Sequence, residues 1–65
     1  MPVVTIEMWE GRTDEQKKKL AELVTDAVCE TIGCPREAVE VIMREIPRKN
    51  WAIGGKLASE KFAEK

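Results

Sequence analysis

Histidine and tyrosine are absent from this chain of 65 residues, which has only two cysteines, two tryptophans and one phenylalanine. Because histidine is the side chain whose ordinary pKa lies closest to neutrality, the commonest general base of enzymes is missing. Two cysteines without histidine also do not supply the four ligands of a tetrahedral zinc site. Any acid–base chemistry must therefore use another kind of group, and we expect no metal.

The two cysteines, Cys29 and Cys34, lie five positions apart. This spacing matches neither the C-x-x-C motif of redox proteins nor the spacing of metal sites. No signal-peptide pattern precedes them, so we expect reduced thiols in a cytoplasmic protein. Neither cysteine has a basic partner nearby in the sequence, and we interpret both as structural, partly buried thiols.

Strong net charge and long apolar runs are also missing. The 11 basic residues nearly cancel the 12 acidic ones, so no net field favours nucleic acid as a partner. The one basic cluster, residues 17–19, follows two acidic residues and is interpreted as a solvated helix face. The apolar runs are only a few residues long, so we expect no membrane span.

The short length sets a limit on stability. A chain of this size buries only roughly 60% of its unfolded surface, so residues 1–65 are predicted to form one small domain. Such domains usually depend on disulfides, a metal or association with other chains. With the first two disfavoured by composition, we expect a homo-oligomer.

Two patterns of apolar residues predict an α/β (α+β) fold. Alternation predicts strands over 3–9 and 39–46, whereas apolar residues at three- and four-residue spacing predict a helix over 14–32. Thr13 and Gln16 have the spacing of a capping box at the start of this helix, and Gly33 suits its end. The strands are then parallel, as in a β-α-β unit.

The C-terminal part of the sequence predicts a small hairpin around Gly54 and Gly55. One helix covers only one face of a two-stranded sheet. The other face carries Trp9, Ile42 and Ile46, so we expect it to meet another subunit.

Pro2 directly follows the initiator methionine. Removal of Met1 gives a free secondary amine, which is a general base that needs no histidine. An apolar wall and a nearby cation both favour the neutral amine and lower its pKa toward neutrality. Taken alone, however, a proline here also fits the edge of a strand, where it has no hydrogen-bond donor to lose.

Two further blocks complete a pattern: EGRTDEQK at residues 10–17 and WAIGGKLA at residues 51–58. Together with Pro2 and the strand after it, they make the whole chain resemble the 4-oxalocrotonate tautomerase (2-hydroxymuconate tautomerase) family. The resemblance implies a cofactor-free isomerase of an unsaturated 2-hydroxy acid, with Pro2 as the proton carrier. It implies that Arg12 binds substrate beside a neighbouring subunit's proline and that Trp51 is the apolar wall. It also implies a hexamer, a trimer of dimers with four-stranded sheets.

One position departs from the family pattern. The family's best-known members have a second arginine at the start of the second strand, where this chain has Glu40. A carboxylate does not bind a substrate carboxylate, so capture of a dicarboxylate at two points is in doubt. Four cations are alternative substitutes: Arg36, Arg44, Arg48 and Lys49. Catalysis with Arg12 alone is the other possibility.

Three other functions compete with tautomerisation. Hydration or dehalogenation of unsaturated acids uses the same proline, more often as a protonated acid. A non-catalytic assembly module keeps the β-α-β unit only for its interface. Nucleic-acid binding is disfavoured by the charge balance.

Overall fold

The computed structural model describes residues 1–62. Its main elements are strand β1 (Val3–Trp9), helix α1 (Asp14–Ile32), strand β2 (Glu40–Ile46), the short strands β3 (Ala52–Ile53) and β4 (Lys56–Leu57), and helix α2 (Ala58–Lys61). Single 3₁₀ turns occupy Arg36–Ala38 and Arg48–Asn50, each directly after a proline.

Strands β1 and β2 pair in parallel, from Val3 opposite Glu40 to Trp9 opposite Ile46. The predicted β-α-β unit with parallel strands is therefore confirmed. The second strand begins at Glu40 rather than at the predicted Val39. The reason is local, since the Val39 amide closes the preceding 3₁₀ turn by donating to the Arg36 carbonyl at 3.1 Å.

Helix α1 has the predicted bounds, because both of its ends are set by residues that are close to them in the sequence. Thr13 Oγ1 accepts from the Gln16 amide at 3.1 Å, and the Gln16 side chain accepts from the Thr13 amide at 3.0 Å. This is the predicted capping box, which satisfies two amides of the first turn. At the other end Gly33 has φ 81°, a left-handed conformation that suits glycine, and its amide donates to the Cys29 carbonyl at 2.9 Å.

The two faces of the β1–β2 sheet differ in what covers them. Val4, Ile6 and Met8 alternate with more exposed neighbours along β1. Their face is the helix side, since Glu45 on the same face contacts Lys17 of α1. On the opposite face Ile42 is 46% exposed and Val3 is 54% exposed. Within residues 1–62 the C-terminal segment packs on that face at Trp9.

The predicted hairpin is also confirmed. Strands β3 and β4 are antiparallel, with Ala52 opposite Leu57 and Ile53 opposite Lys56. Gly54 and Gly55 have φ values of 60° and 84°. Two successive positive φ values are typical of the tight turn that suits two-residue hairpins.

A single chain leaves much of its apolar surface uncovered. Within residues 1–62 only Ala58 is fully buried, while Leu23 and Ile32 of the predicted helix stripe are 55% and 65% exposed. One chain therefore does not bury all the apolar residues of the helix, because a two-stranded sheet is narrow. The radius of gyration is 14.9 Å, against about 11 Å for a compact chain of this length.

The extents of 42 × 25 × 14 Å describe a long, flat molecule. A flat chain has little interior, and its exposed apolar side chains are available for association with other chains. In the part of the chain that the structure describes, no helix is long and apolar enough to cross a membrane.

Candidate active site

Pro2 lies immediately before β1, at the edge where the two parallel strands begin. Its carbonyl accepts a hydrogen bond from the Glu40 amide at 3.0 Å. Pro2 is half-buried, whereas Met1 is 84% exposed. With Met1 in place the Pro2 nitrogen belongs to a peptide bond, and an exposed Met1 leaves that bond open to an aminopeptidase.

Glu40 therefore stands next to Pro2 on the neighbouring strand, and its side chain is exposed. The two residues are joined through the backbone, which fixes their relative position without using the carboxylate. A carboxylate in the neighbourhood of an amine favours the protonated form of that amine. Glu40 therefore adds a negative charge to the Pro2 end of the sheet.

Arg12 lies at the other end of β1, beyond Gly11, whose φ of 109° turns the chain toward α1. It lines a cavity of about 220 Å³ together with Met8, Gln16, Lys17 and Leu20. Met8 and Leu20 give this cavity an apolar side, and Arg12 adds a cation, whereas the charge of Lys17 is paired with Glu45. The cavity suits a small amphipathic anion, because apolar walls with a few polar groups are typical of ligand sites.

Trp51 lies between the second 3₁₀ turn and β3 and packs edge-on against Trp9, with ring centroids 6.2 Å apart at 87°. Phe62 also packs on Trp9, at 5.7 Å. We call Trp9, Trp51 and Phe62 the aromatic cluster. Arg48 lies over the Trp9 ring at 4.8 Å from its centroid, a cation–π contact. The Trp9 Nε1 is buried without a hydrogen-bond partner among residues 1–62.

The three predicted site residues are not brought together in one chain. Trp51 packs on Trp9 at the end of β1, and Arg12 follows Trp9 by three residues. Pro2 is at the beginning of the same strand, and at about 3.3 Å per residue β1 separates it from Trp9 by roughly 20 Å. A site that uses Pro2 and Arg12 must therefore combine two chains.

Glu45 organises the loop that carries Arg12, and sequence reasoning missed it. Its Oε1 lies 2.8 Å from Lys17 Nζ. This hydrogen bond, with contributions from the Arg12 and Gly11 amides, holds the pKa of the Glu45 carboxyl below its ordinary value. A signal was present in the sequence, since alternation puts this charged residue on the helix side of β2.

The same contact corrects the interpretation of Lys17. We expected residues 17–19 to form a solvated helix face, but Lys17 is half-buried and its pKa is raised, chiefly by the hydrogen bond to Glu45. Lys18 and Lys19 are exposed, as expected.

The alternative cations occupy different surroundings. Arg44 lies 3.7 Å from Glu7 on the sheet face away from α1. Arg36 is hydrogen-bonded to Asp26, which raises its pKa. Arg48 is the one that contacts the aromatic cluster.

Comparison with known proteins agrees with this fold. The family model described as tautomerase enzyme matches residues 2–61. A probable tautomerase of Bacillus cereus is 54% identical over 61 residues, covering 94% of this chain and 100% of the relative. The 2-hydroxymuconate tautomerase of Bacillus subtilis is 48% identical over 60 residues, covering 92% and 97%.

A solved structure gives the same result. The heterohexamer 4-oxalocrotonate tautomerase of Chloroflexus aurantiacus superposes with a TM-score of 0.88 at 35% identity, covering 92% of this chain and 97% of that one. The fold and these matches define a small β-α-β enzyme of the isomerase class. The chain belongs to the tautomerase family.

Proposed function

We propose that the protein is a cofactor-independent enol–keto tautomerase of short 2-hydroxy-dienoates such as 2-hydroxymuconate. Its general base is the secondary amine of Pro2, freed by removal of Met1. The observation that carries the proposal is the tautomerase match, which begins at residue 2 and extends to residue 61. Similarity to a 2-hydroxymuconate tautomerase at 48% identity supports the substrate class.

Pro2 takes a proton from the substrate and returns it to a carbon, so both transfers use one nitrogen. The amine must be neutral to begin, which requires a pKa near the working pH. Trp51 of a neighbouring chain lowers that pKa, because an apolar wall disfavours the ammonium form. Its contact with Trp9 holds the Trp51 ring at the end of β1 that leads to Arg12, so in this proposal Trp51 and Arg12 of one chain meet Pro2 of another.

Arg12 stabilises the negative charge that develops on the substrate oxygen. A guanidinium acts well here because it stays charged and donates from several N–H groups. The Glu45 contact with the Arg12 and Gly11 amides supports a fixed position of this loop. A preorganised cation needs little rearrangement in the transition state.

The assembly we propose is a hexamer, a trimer of dimers in which paired β-α-β units form four-stranded sheets. Exposed apolar residues on both the sheet and the helix, such as Val3, Ile42 and Leu23, support burial between chains. The separation of Pro2 from Arg12 along β1 supports a site shared by two chains. The similar Chloroflexus protein is a heterohexamer.

Of the four alternatives Arg36, Arg44, Arg48 and Lys49, we take Arg48 as the second cation for substrate binding. Arg48 is supported by its position over Trp9, which in turn contacts Trp51. In this proposal Arg48 binds a distal carboxylate of the substrate, a role that Glu40 does not fill.

A second candidate reaction is hydration or dehalogenation of an unsaturated acid with protonated Pro2 as the acid. The position of Glu40 beside Pro2 favours it, because a neighbouring carboxylate raises the pKa of an amine. Titration of the Pro2 nitrogen by NMR separates the two. A pKa well below that of a free secondary amine supports the base, and a high pKa supports the acid.

The experiment that tests the proposal is a ketonisation assay with 2-hydroxymuconate on Met1-processed protein. We expect Pro2→Ala to lower kcat/KM by at least about 100-fold, the usual contribution of a general base. Pro35→Ala is the matched control, a proline outside the site that should keep wild-type activity. Equal rates for wild type and Pro2→Ala would overturn the mechanism.

Intact mass is measured first in every preparation. If Met1 proves to be retained by the native protein, the nitrogen is an amide and the non-catalytic assembly module becomes the better hypothesis. A cytoplasmic location stays a prediction, which fractionation of cells tests.

A further inference from the structure

The fold brings together two thiols that the proposed reaction does not use. Cys29 lies in the last turn of α1, and Cys34 follows the left-handed Gly33 that ends the helix. The Gly33 amide donates to the Cys29 carbonyl at 2.9 Å, which reverses the chain over the helix end. This chain reversal brings Cys34, the residue after the glycine, back toward Cys29 in the last turn of the helix.

The surroundings of the side chains agree with the backbone. Both cysteines are free and half-buried. The pKa of the Cys29 thiol is raised by burial first and then by the nearby Cys34. The sequence spacing gave no hint of this pairing, because it depends on the glycine turn rather than on a C-x-x-C motif.

We propose that Cys29 and Cys34 form an oxidisable dithiol, a modification site for low-molecular-weight disulfides such as oxidised glutathione. One protein thiolate attacks the small disulfide, forming a mixed disulfide and releasing one small thiol. The second protein thiolate then displaces the other small thiol and closes an intramolecular disulfide. In total two protein thiols are oxidised and one small disulfide is reduced to two thiols.

Two features favour closure over a stable mixed disulfide. The chain reversal at Gly33 already brings Cys34 near Cys29, so the second attack needs only local rearrangement. The turn at Gly33 holds the two residues in place before oxidation, which gives the second thiol a high effective concentration.

The position of the pair gives the modification a structural consequence. Cys34 begins the connection to β2, which runs through the 3₁₀ turn at Arg36–Ala38 to Glu40. Glu40 in turn donates to the Pro2 carbonyl. A disulfide at Cys34 therefore constrains the segment that leads to the Pro2 end of the sheet. The proposal itself concerns the thiols and does not depend on the proposed function.

The test exposes folded, reduced protein to oxidised glutathione and follows free thiols and intact mass. We expect wild type to lose both thiols and two hydrogens in mass, with no glutathione retained and no cross-linked dimer on a non-reducing gel. The single variants Cys29→Ser and Cys34→Ser should each stop at a mixed disulfide with one glutathione. Circular dichroism confirms that each variant is folded.

Three results would overturn the proposal. The first is wild type that carries two glutathiones, because the thiols then react independently. The second is wild type that keeps both thiols while the single variants react, and the third is a disulfide between chains. A Gly33→Ala variant adds a geometric check, because its left-handed position disfavours a side chain. If the turn holds the thiols together, this variant accumulates mixed disulfide where wild type does not.

Discussion

Glu45 Oε1 lies 2.8 Å from Lys17 Nζ and joins the second strand to the beginning of α1. The same carboxylate interacts with the Arg12 and Gly11 amides. One charge on β2 is thus bonded to the beginning of the helix and lies near the loop that carries the proposed substrate-binding arginine. An ion pair with backbone partners is more restricted in geometry than a pair of two free side chains.

The Glu45 contacts predict a specific loss of stability in acid. Its pKa in the folded protein is below the ordinary value of 4.5, so the folded state binds this proton less tightly than the unfolded state. The stability it contributes is fully present above pH 4.5 and is lost as pH falls through the folded pKa. At neutral pH the Glu45→Gln variant should therefore be less stable than wild type. Its free energy of unfolding should also fall less than that of wild type as the pH is lowered. Urea denaturation at fixed protein concentration measures both.

The exposed Glu37→Gln is the matched control, and it should follow the wild-type curve. A Glu45→Gln curve parallel to wild type through the acid range would contradict the prediction. Lys17 gives an independent check in alkali. Its pKa is raised above 10.5, so its contribution is present below that pH and is lost as pH rises through the folded pKa.

These contacts show which features of this fold a sequence can predict. The helix bounds follow from Thr13, Gln16 and Gly33, whose effects are exerted within a few residues along the chain. The Lys17–Glu45 pair joins residues 28 positions apart, and alternation only indicated which face Glu45 occupies. The stacking of Arg48 on Trp9 likewise depends on how the C-terminal segment folds back, which no local pattern encodes.

The separation of Pro2 and Arg12 along β1 predicts complementation between two inactive variants. Pro2→Ala lacks the base, and Arg12→Ala lacks the cation, so each alone should lose most activity. When the two variants are refolded together as mixed oligomers, about a quarter of the shared sites should be complete. Half of the chains keep Pro2 and the other half keep Arg12, so random pairing unites the two intact residues in about one site of four. Activity is measured after mixing at equal concentrations.

The control is each variant alone, unfolded and refolded in the same way. If the site lay within one chain, no mixed oligomer would contain a complete site. Activity of the mixture at the average of the two separate variants would then exclude a shared site.

The contact of Arg48 with Trp9 predicts a change in substrate preference. Arg48→Met keeps an apolar side chain on the ring but removes the charge, whereas Arg48→Lys keeps the charge. We expect Arg48→Met to lower kcat/KM for a dicarboxylate by about tenfold or more, the scale of one charge-assisted hydrogen bond. The monocarboxylate analogue should be affected little. Arg48→Lys should fall between Arg48→Met and wild type, since lysine binds as a point charge.

Arg44→Met is the matched control, because it removes a cation of the same sheet that interacts with Glu7. Its ratio of dicarboxylate to monocarboxylate turnover should equal that of wild type. Equal losses for both substrates in Arg48→Met would indicate a packing defect at Trp9 instead of a lost carboxylate contact.

The edge-on contact of Trp51 with Trp9 predicts a shift in the pH dependence of the reaction. Trp51→Ala removes the apolar wall, admits water to the Pro2 amine and so raises its pKa. The ascending limb of the pH profile of kcat/KM should move to higher pH, and the rate at neutral pH should fall by about tenfold for each unit of the shift. Trp51→Phe keeps a ring in the same place and should retain a profile close to that of wild type. A lower rate in Trp51→Ala with an unmoved ascending limb would mean that Trp51 binds substrate without tuning the base.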